Sequence, residues 1–271
     1  MLVRAPATSA NLGPGFDCVG VALDLWNELE VSEGAGVAVE GEGAGELPET
    51  ADNLGVRAYA RLADPAGRRF RFVNRIPLER GLGSSAATIA LGLVAAAPAA
   101  SADELLAVAL ELEDHGDNLA AALLGGVTLA WDGTARRIAD RLPLEPVAVV
   151  PRTRTSTAAA REALPASVPH ADATATVARA AMLGAAIAAG DADLFTQALR
   201  DRLHEPYRRS DTLEAVRTAL PRGARGATLS GSGPTVIVWA DDPGPAAGEL
   251  RERFPGHDVL VLDVSPVGAL G

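Results

Sequence analysis

The sequence predicts a mixed α+β protein in which strands and helices follow one another without the regular alternation of a parallel sheet. Short runs rich in valine, isoleucine, threonine and phenylalanine are interspersed irregularly with longer alanine- and leucine-rich runs. Of the 271 residues, 48% are apolar, enough to bury a substantial core in one large domain or two intimately packed ones.

In chain order, strand patterns occur at 37–40, 69–74, 127–131, 147–150, 235–239 and 259–264, where β-branched residues cluster. Helical patterns occur at 53–62, 86–97, 102–113, 173–189, 191–203 and 213–220. Ser101-Ala102-Asp103-Glu104 predicts a capping box, the serine accepting from an early N–H while the glutamate reaches back. Gly190 stops one helix and Asp191 opens the next. The polar, glycine-rich stretch 41–52 reads as a surface loop. Pro143, Pro146 and Pro151 bracket a strand, which puts a domain boundary near Pro151 and divides the chain into 1–150 and 151–271. No internal repeat is present.

The formal net charge is -11, so nucleic-acid phosphates and anionic membranes are repelled as partners. The chain has no lysine, and arginine supplies every fixed positive side-chain charge. A lysine base is thereby excluded, while bidentate guanidinium binding of carboxylate or phosphate is available. Cys18 stands alone, which rules out an intramolecular disulfide and a multi-cysteine metal site. His115, His170, His204 and His257 show no zinc spacing. The N-terminus lacks a signal-peptide core, and the apolar segments 91–97 and 178–189 fall short of the ~20 residues that span a bilayer. A soluble cytoplasmic protein is expected. A homodimer is compatible with the sequence, which does not specify the oligomeric state.

The segment Pro77-Leu78-Glu79-Arg80-Gly81-Leu82-Gly83-Ser84-Ser85-Ala86-Ala87 runs into an alanine-rich helix. Gly81 and Gly83 permit backbone geometries closed to other residues and let a ligand approach the main chain. Ser84, Ser85 and the small residues beyond leave free N–H groups at a helix start, where the helix dipole favours phosphate. Ser85 can also offer its hydroxyl to a magnesium ion. No Gly-Lys-Ser/Thr follows, so this is not a Walker loop, and it is not a dinucleotide fingerprint. An ordinary tight turn with a serine cap fits the segment equally well when it is read alone.

Two further segments accompany it. Pro6-Ala7-Thr8-Ser9-Ala10-Asn11-Leu12-Gly13-Pro14-Gly15-Phe16-Asp17 lies near the N-terminus, and Gly226-Ala227-Thr228-Leu229-Ser230-Gly231-Ser232-Gly233-Pro234-Thr235 near the other end. In order and spacing the three resemble the motifs of the GHMP kinases, the first in its homoserine-kinase form. The resemblance implies ATP with Mg2+ and an N-terminal α+β domain like the second domain of a ribosomal small-subunit protein. It also implies a ferredoxin-like C-terminal domain and a site in the cleft between the two. Residues 77–87 would wrap the nucleotide phosphates, with Gly231 and Gly233 closing over them.

The segment Glu111-Leu112-Glu113-Asp114-His115-Gly116-Asp117-Asn118, followed by Leu123-Leu124-Gly125-Gly126, resembles the homoserine-kinase branch. Asp114 and Gly116 depart from the usual glycine and proline. The resemblance implies that Glu113 joins Ser85 as a magnesium ligand and that Asp117 and Asn118 face the substrate. His115 is expected to be a neutral core or turn-capping residue rather than a catalytic one. The segments Ser156-Thr157-Ala158-Ala159-Ala160-Arg161-Glu162-Ala163-Leu164-Pro165 and Asp201-Arg202-Leu203-His204-Glu205-Pro206-Tyr207-Arg208 resemble those whose arginines, here Arg161 and Arg208, bind a substrate carboxylate. Asn11, Asp17, Asp117 and Asn118 could meet an ammonium group. L-Homoserine is the implied acceptor, with Asn118, Asp17 and Arg208 the groups expected to serve catalysis. The competing expectations are another small alcohol as acceptor, or a silent family member that only senses a ligand.

Overall fold

The computed structural model describes residues 1–271. The N-terminal portion comprises β1 (Leu2–Asn11), β2 (Gly15–Glu33), β3 (Gly36–Gly41), α1 (Leu54–Tyr59), β4 (Arg68–Asn74), α2 (Ser84–Ala96), α3 (Ala102–Leu110), α4 (Gly116–Leu124), β5 (Val127–Trp131) and β6 (Thr134–Ala139). The remainder comprises β7 (Glu145–Pro151), α5 (Thr157–Glu162), α6 (His170–Ala189), α7 (Ala192–Ala198), a 3-10 turn (Glu205–Tyr207), α8 (Asp211–Thr218), β8 (Ala224–Leu229), β9 (Val236–Ala240), α9 (Pro243–Arg253) and β10 (His257–Val261). The α+β expectation holds.

β2 organises the first sheet, whose order is β3-β4-β2-β5-β6 with β1 added on β2. One edge of β2 pairs with β1 along nearly its whole length, and the other is shared between β4 and β5. α2 and α4 pack on β1 and β2, and α1 and α3 pack on α2. α2 is almost wholly apolar, as a helix covered on all sides must be. Gly92 lets α1 lie directly on it, since a Cβ there would collide with the Gly55 carbonyl.

The second sheet has the order β10-β7-β9-β8, antiparallel throughout, as in a ferredoxin-like fold. Period-2 alternation sends successive side chains to opposite faces. Val147, Val149, Val236 and Val238 pack with Leu213 and Val216 of α8 and Leu250 of α9. Ala148, Val150, Ile237 and Trp239 face the other way and join the main core with Phe195. Trp239 meets Phe195 edge-on at 5.4 Å and donates its indole N–H to the Thr228 hydroxyl at 3.0 Å, so its polar end is satisfied inside the core.

Several expectations require correction. β7, which lies just before the division expected near Pro151, pairs in the second sheet. The C-terminal tail then returns to the first sheet: Asp24 and Ser265 N–H donate to the Asp263 and Ala22 carbonyls, each at 2.9 Å, and Ala269 N–H to Ala122 at 2.8 Å. The strand expected at 259–264 starts and ends earlier, and Val264 instead makes an isolated bridge to Leu23. The helix expected over 191–203 stops at Ala198, because Asp201 folds the next residues into a turn, accepting from the N–H groups of Leu203, His204 and Glu205 at 2.9, 2.7 and 2.9 Å. The capping box at Ser101 and the Gly190–Asp191 junction form as expected. No helix is long and apolar enough to cross a membrane.

Candidate active site

The three glycine-rich segments, distant in sequence, are stitched together by backbone and short side chains. Thr8 N–H donates to the Leu82 carbonyl at 3.0 Å, and Gly231 N–H to the Ala10 carbonyl at 3.1 Å. The Ser230 hydroxyl lies 2.6 Å from the Gly81 carbonyl and 2.9 Å from the Ser9 hydroxyl. Asn11, at φ 75°, donates its amide N–H to the Gly231 carbonyl and accepts from Asp17 N–H through Oδ1, both at 3.0 Å. Asn11 therefore ties the loops, with one N–H and one lone pair remaining for a ligand. Asp17 (φ 53°) and Glu79 (φ 54°) are also left-handed, so strained backbone gathers at this one place.

At the start of α2 the N-cap is Gly83, at φ 66° with no side-chain cap. The first helical hydrogen bond runs from Ala87 N–H to the Gly83 carbonyl at 2.9 Å, which leaves the N–H groups of Ser84, Ser85 and Ala86 unpartnered. Gly83 is required twice over, by its φ and because a Cβ would strike the Thr8 hydroxyl.

An open cleft lies over this helix start. It is lined by Pro77, residues 79–85 and Gly231, together with Asn11, Asp17, Glu113, Asp117, Asn118, Arg161 and Arg208. Four of the expected phosphate-contacting residues do not line it. Leu78, Ala86 and Ala87 turn their side chains into the core, and Gly233 sits behind the turn against Leu229.

The charged groups form two sets. Arg161 of α5 holds Asp17 in a two-point ion pair of 2.9 and 2.8 Å. Arg208 is buried and is held by the Gly231 carbonyl at 3.1 Å and by His204 Nδ1 at 3.2 Å. Asp117, at the start of α4, is buried, and desolvation pushes its pKa up to about 6, partly opposed by the Asn118 N–H it accepts at 2.7 Å. Asn118 accepts from the Thr8 hydroxyl through Oδ1 at 2.7 Å, which fixes its amide orientation.

The other set is Ser85, Glu113 and His115. The Ser85 hydroxyl donates to Glu113, whose other oxygen lies 3.3 Å from His115 Nδ1. His115 departs from the expectation of a neutral core or turn-capping residue. It makes no cap bond, lines the cleft, and has its pKa raised chiefly by the hydrogen bond to Glu113. No group of three or more His, Cys, Asp or Glu side chains is placed to hold a metal ion. A hydroxyl and a carboxylate converging beside a helix start with free N–H groups do fit magnesium, which takes hard oxygen donors and keeps several waters.

Sequence reasoning missed Thr8, Phe16, Thr157, His204 and Ser232. Thr157 and Ser232 line the cleft with their hydroxyls 3.3 Å apart. All five stand within the quoted segments, but only their three-dimensional neighbours distinguish them.

The chain matches the model for the GHMP kinases N terminal domain over residues 53–126 and that for the GHMP kinases C terminal over 183–256. It is 44% identical over 264 residues to the homoserine kinase of Clavibacter michiganensis, covering 89% of this chain and 83% of that one. The chain belongs to the GHMP kinase family. Among solved structures, this GHMP kinase resembles a homoserine kinase from Cytophaga hutchinsonii, with a TM-score of 0.83 and 27% identity over 98% of this chain and 96% of that one. It likewise resembles a putative homoserine kinase from Listeria monocytogenes, with a TM-score of 0.80 and 31% identity over 98% and 97%. The glycine-rich segment 77–87 and the Glu113–Asn118 segment of this GHMP kinase both fall inside the N-terminal family match.

Proposed function

We propose that this GHMP kinase is an ATP-dependent homoserine kinase that phosphorylates the side-chain hydroxyl of L-homoserine to give O-phospho-L-homoserine. The observation that carries the reading is the juxtaposition of two arginines, Arg161 and Arg208, with two carboxylates, Asp17 and Asp117, beside the free N–H groups of α2. An amino-acid zwitterion needs both signs of charge within a few ångströms, whereas a neutral sugar needs neither. The homoserine kinase relative at 44% identity supports the same acceptor.

In this reading the α2 N-terminus and residues 79–85 hold the ATP phosphates. Arg161 and Arg208 take the acceptor carboxylate, while Asp17, Asp117 and the remaining valences of Asn11 and Asn118 take its ammonium group. Ser85 and Glu113 would hold Mg2+, which when bound neutralises phosphate charge. The acceptor hydroxyl attacks the γ-phosphorus and ADP leaves. Such a transfer depends mainly on alignment and charge neutralisation, so a strong base is not obligatory. Asp17 and Asn118 act as positioning groups. With no lysine in the chain, a lysine-assisted proton transfer is not available.

The test is a coupled ADP-release assay across homoserine, mevalonate, shikimate and galactose. Turnover confined to homoserine is expected. Turnover of a different alcohol reassigns the acceptor, and ATP binding with no turnover of any of the four overturns the proposal in favour of ligand sensing.

A further inference from the structure

His204 contributes nothing to the cleft surface, yet it is one of the most constrained polar side chains in the molecule. Its ring is fully buried. It stacks on Phe16 with centroids 4.9 Å apart and planes within 15°. Nε2 lies 2.8 Å from the Gly13 carbonyl, and Nδ1 lies 3.2 Å from Arg208 Nη1. The two partners independently demand the same tautomer. A guanidinium only donates, so Nδ1 must be an unprotonated acceptor; a carbonyl only accepts, so Nε2 must carry the proton. Burial favours this neutral ring and lowers its pKa.

From this geometry we infer that His204 is a positioning residue for Arg208, coupling the β1–β2 turn to the orientation of the guanidinium in the cleft. Arg208 has two carbonyls and one ring nitrogen for partners: Gly231 at 3.1 Å, Ala160 at 3.5 Å and His204 Nδ1 at 3.2 Å. It also lies 5.3 Å from the Phe16 ring centroid, on the same aromatic that His204 stacks against. No carboxylate pairs with it, in contrast to Arg161, which Asp17 holds. His204 therefore orients the arginine without neutralising it, leaving its full charge for an incoming anion. An aspartate at this place would fix the guanidinium equally well and cancel that charge. The inference rests on the reading of Arg208 as a group for the acceptor carboxylate.

Three variants separate the hydrogen bonds from the ring. His204→Asn places an amide oxygen near the Nδ1 position and keeps the acceptor for Arg208. His204→Gln places its amide N–H near Nε2 and keeps only the Gly13 contact. His204→Phe keeps only the stack. In steady-state assays on the full-length protein, H204Q and H204F are expected to raise KM for homoserine about 10-fold or more, the size of effect expected when a buried charged donor loses its partner. KM for ATP should hardly move, and H204N should restore KM for homoserine to within about 3-fold of wild type. A purely structural histidine would instead lower thermal stability in all three and leave KM for homoserine unchanged in whatever folds. Nitrogen-15 spectra of the wild-type imidazole give a second readout: an unprotonated Nδ1 and a protonated Nε2 are expected, and a protonated Nδ1 overturns the inference. Wild-type protein that does not turn over homoserine sinks the substrate reading and this role with it, whereas normal wild-type turnover with an unchanged KM in H204Q sinks the His204 role alone.

Discussion

Asp17 on β2 and Arg161 on α5 grip each other across the mouth of the cleft, with two hydrogen bonds of 2.8 and 2.9 Å and both side chains a little over 40% exposed. The two groups assigned to opposite ends of a zwitterionic substrate are thus each other's partners when no substrate is between them. A substrate carrying both charges can replace both halves of the pair at once. An acceptor carrying only one would leave an opposite charge unpaired.

An ion pair so exposed contributes under ~1 kcal/mol to stability, because water and salt screen it. Arg161→Ala should therefore leave the thermal midpoint nearly unchanged while raising KM for homoserine about 10-fold or more. Thermal melts and steady-state kinetics on the same preparation check this. A large fall in the midpoint with an unaltered KM would show that the pair is structural.

Asp117 pulls stability and function in opposite directions. Its pKa, ordinarily 3.8, is raised to about 6 by burial, so the folded state binds its proton more tightly than the unfolded state does. The carboxylate accordingly lowers stability progressively as pH rises from about 4 to about 6, and the whole penalty, on the order of 3 kcal/mol, is in place above that. Asp117→Asn should raise the melting midpoint at pH 8, leave it little changed at pH 4, and abolish most turnover. A variant equally or less stable at pH 8 contradicts the buried-charge account.

Glu113 and Ser85 touch each other at the helix start. Glu113→Gln should shift the magnesium dependence of kcat to higher concentration and lower kcat by about 100-fold, the scale on which a charge-stabilising group acts in phosphoryl transfer. Ser85→Ala should do the same more mildly, since a bound water can replace one neutral oxygen. Removal of magnesium with a chelator should stop turnover. Magnesium titrations that superimpose for wild type and E113Q would assign Glu113 elsewhere.

Gly83 and Gly190 share nearly the same left-handed φ, 66° and 65°. A Cβ at Gly190 meets open space, and one at Gly83 runs into Thr8. Gly190→Ala should cost about 1 kcal/mol of stability through backbone strain alone and leave nucleotide affinity intact. Gly83→Ala should cost more and weaken ATP binding at least 10-fold, because the loop must move away from the N–H groups it presents. Melting curves together with fluorescent-nucleotide titration distinguish the two.

Much of the site was legible in the sequence because its chemistry is local. Free N–H groups at the start of α2 follow from glycine, small residues and a helix within one short segment. The strand segments at 37–40, 127–131 and 147–150 were legible for the same reason, as runs of β-branched residues. β1 and β2 were not. The strand patterns read from the sequence begin only at 37, yet strands occupy most of residues 2–33 and only the stretch around 12–14 turns. β1 is covered on both sides along most of its length, so the alternation that marks a half-buried strand is missing. α4 was hidden similarly, because its start doubles as part of the cleft and lacks a side-chain cap.

By itself the sequence determined the α+β class, the glycine-rich helix start with its free N–H groups, the absence of any lysine and the charged groups proposed to meet a zwitterion. These depend on residue type and short-range order. The tertiary structure alone decided that Asp17 pairs with Arg161, that Asp117 is buried far enough to titrate near pH 6, and that His204 rather than a carboxylate holds Arg208. Each of these depends on which groups face one another and how much water remains between them. Both are settled only when the turn after β1, the start of α4 and the 3-10 turn before α8 are folded against one another.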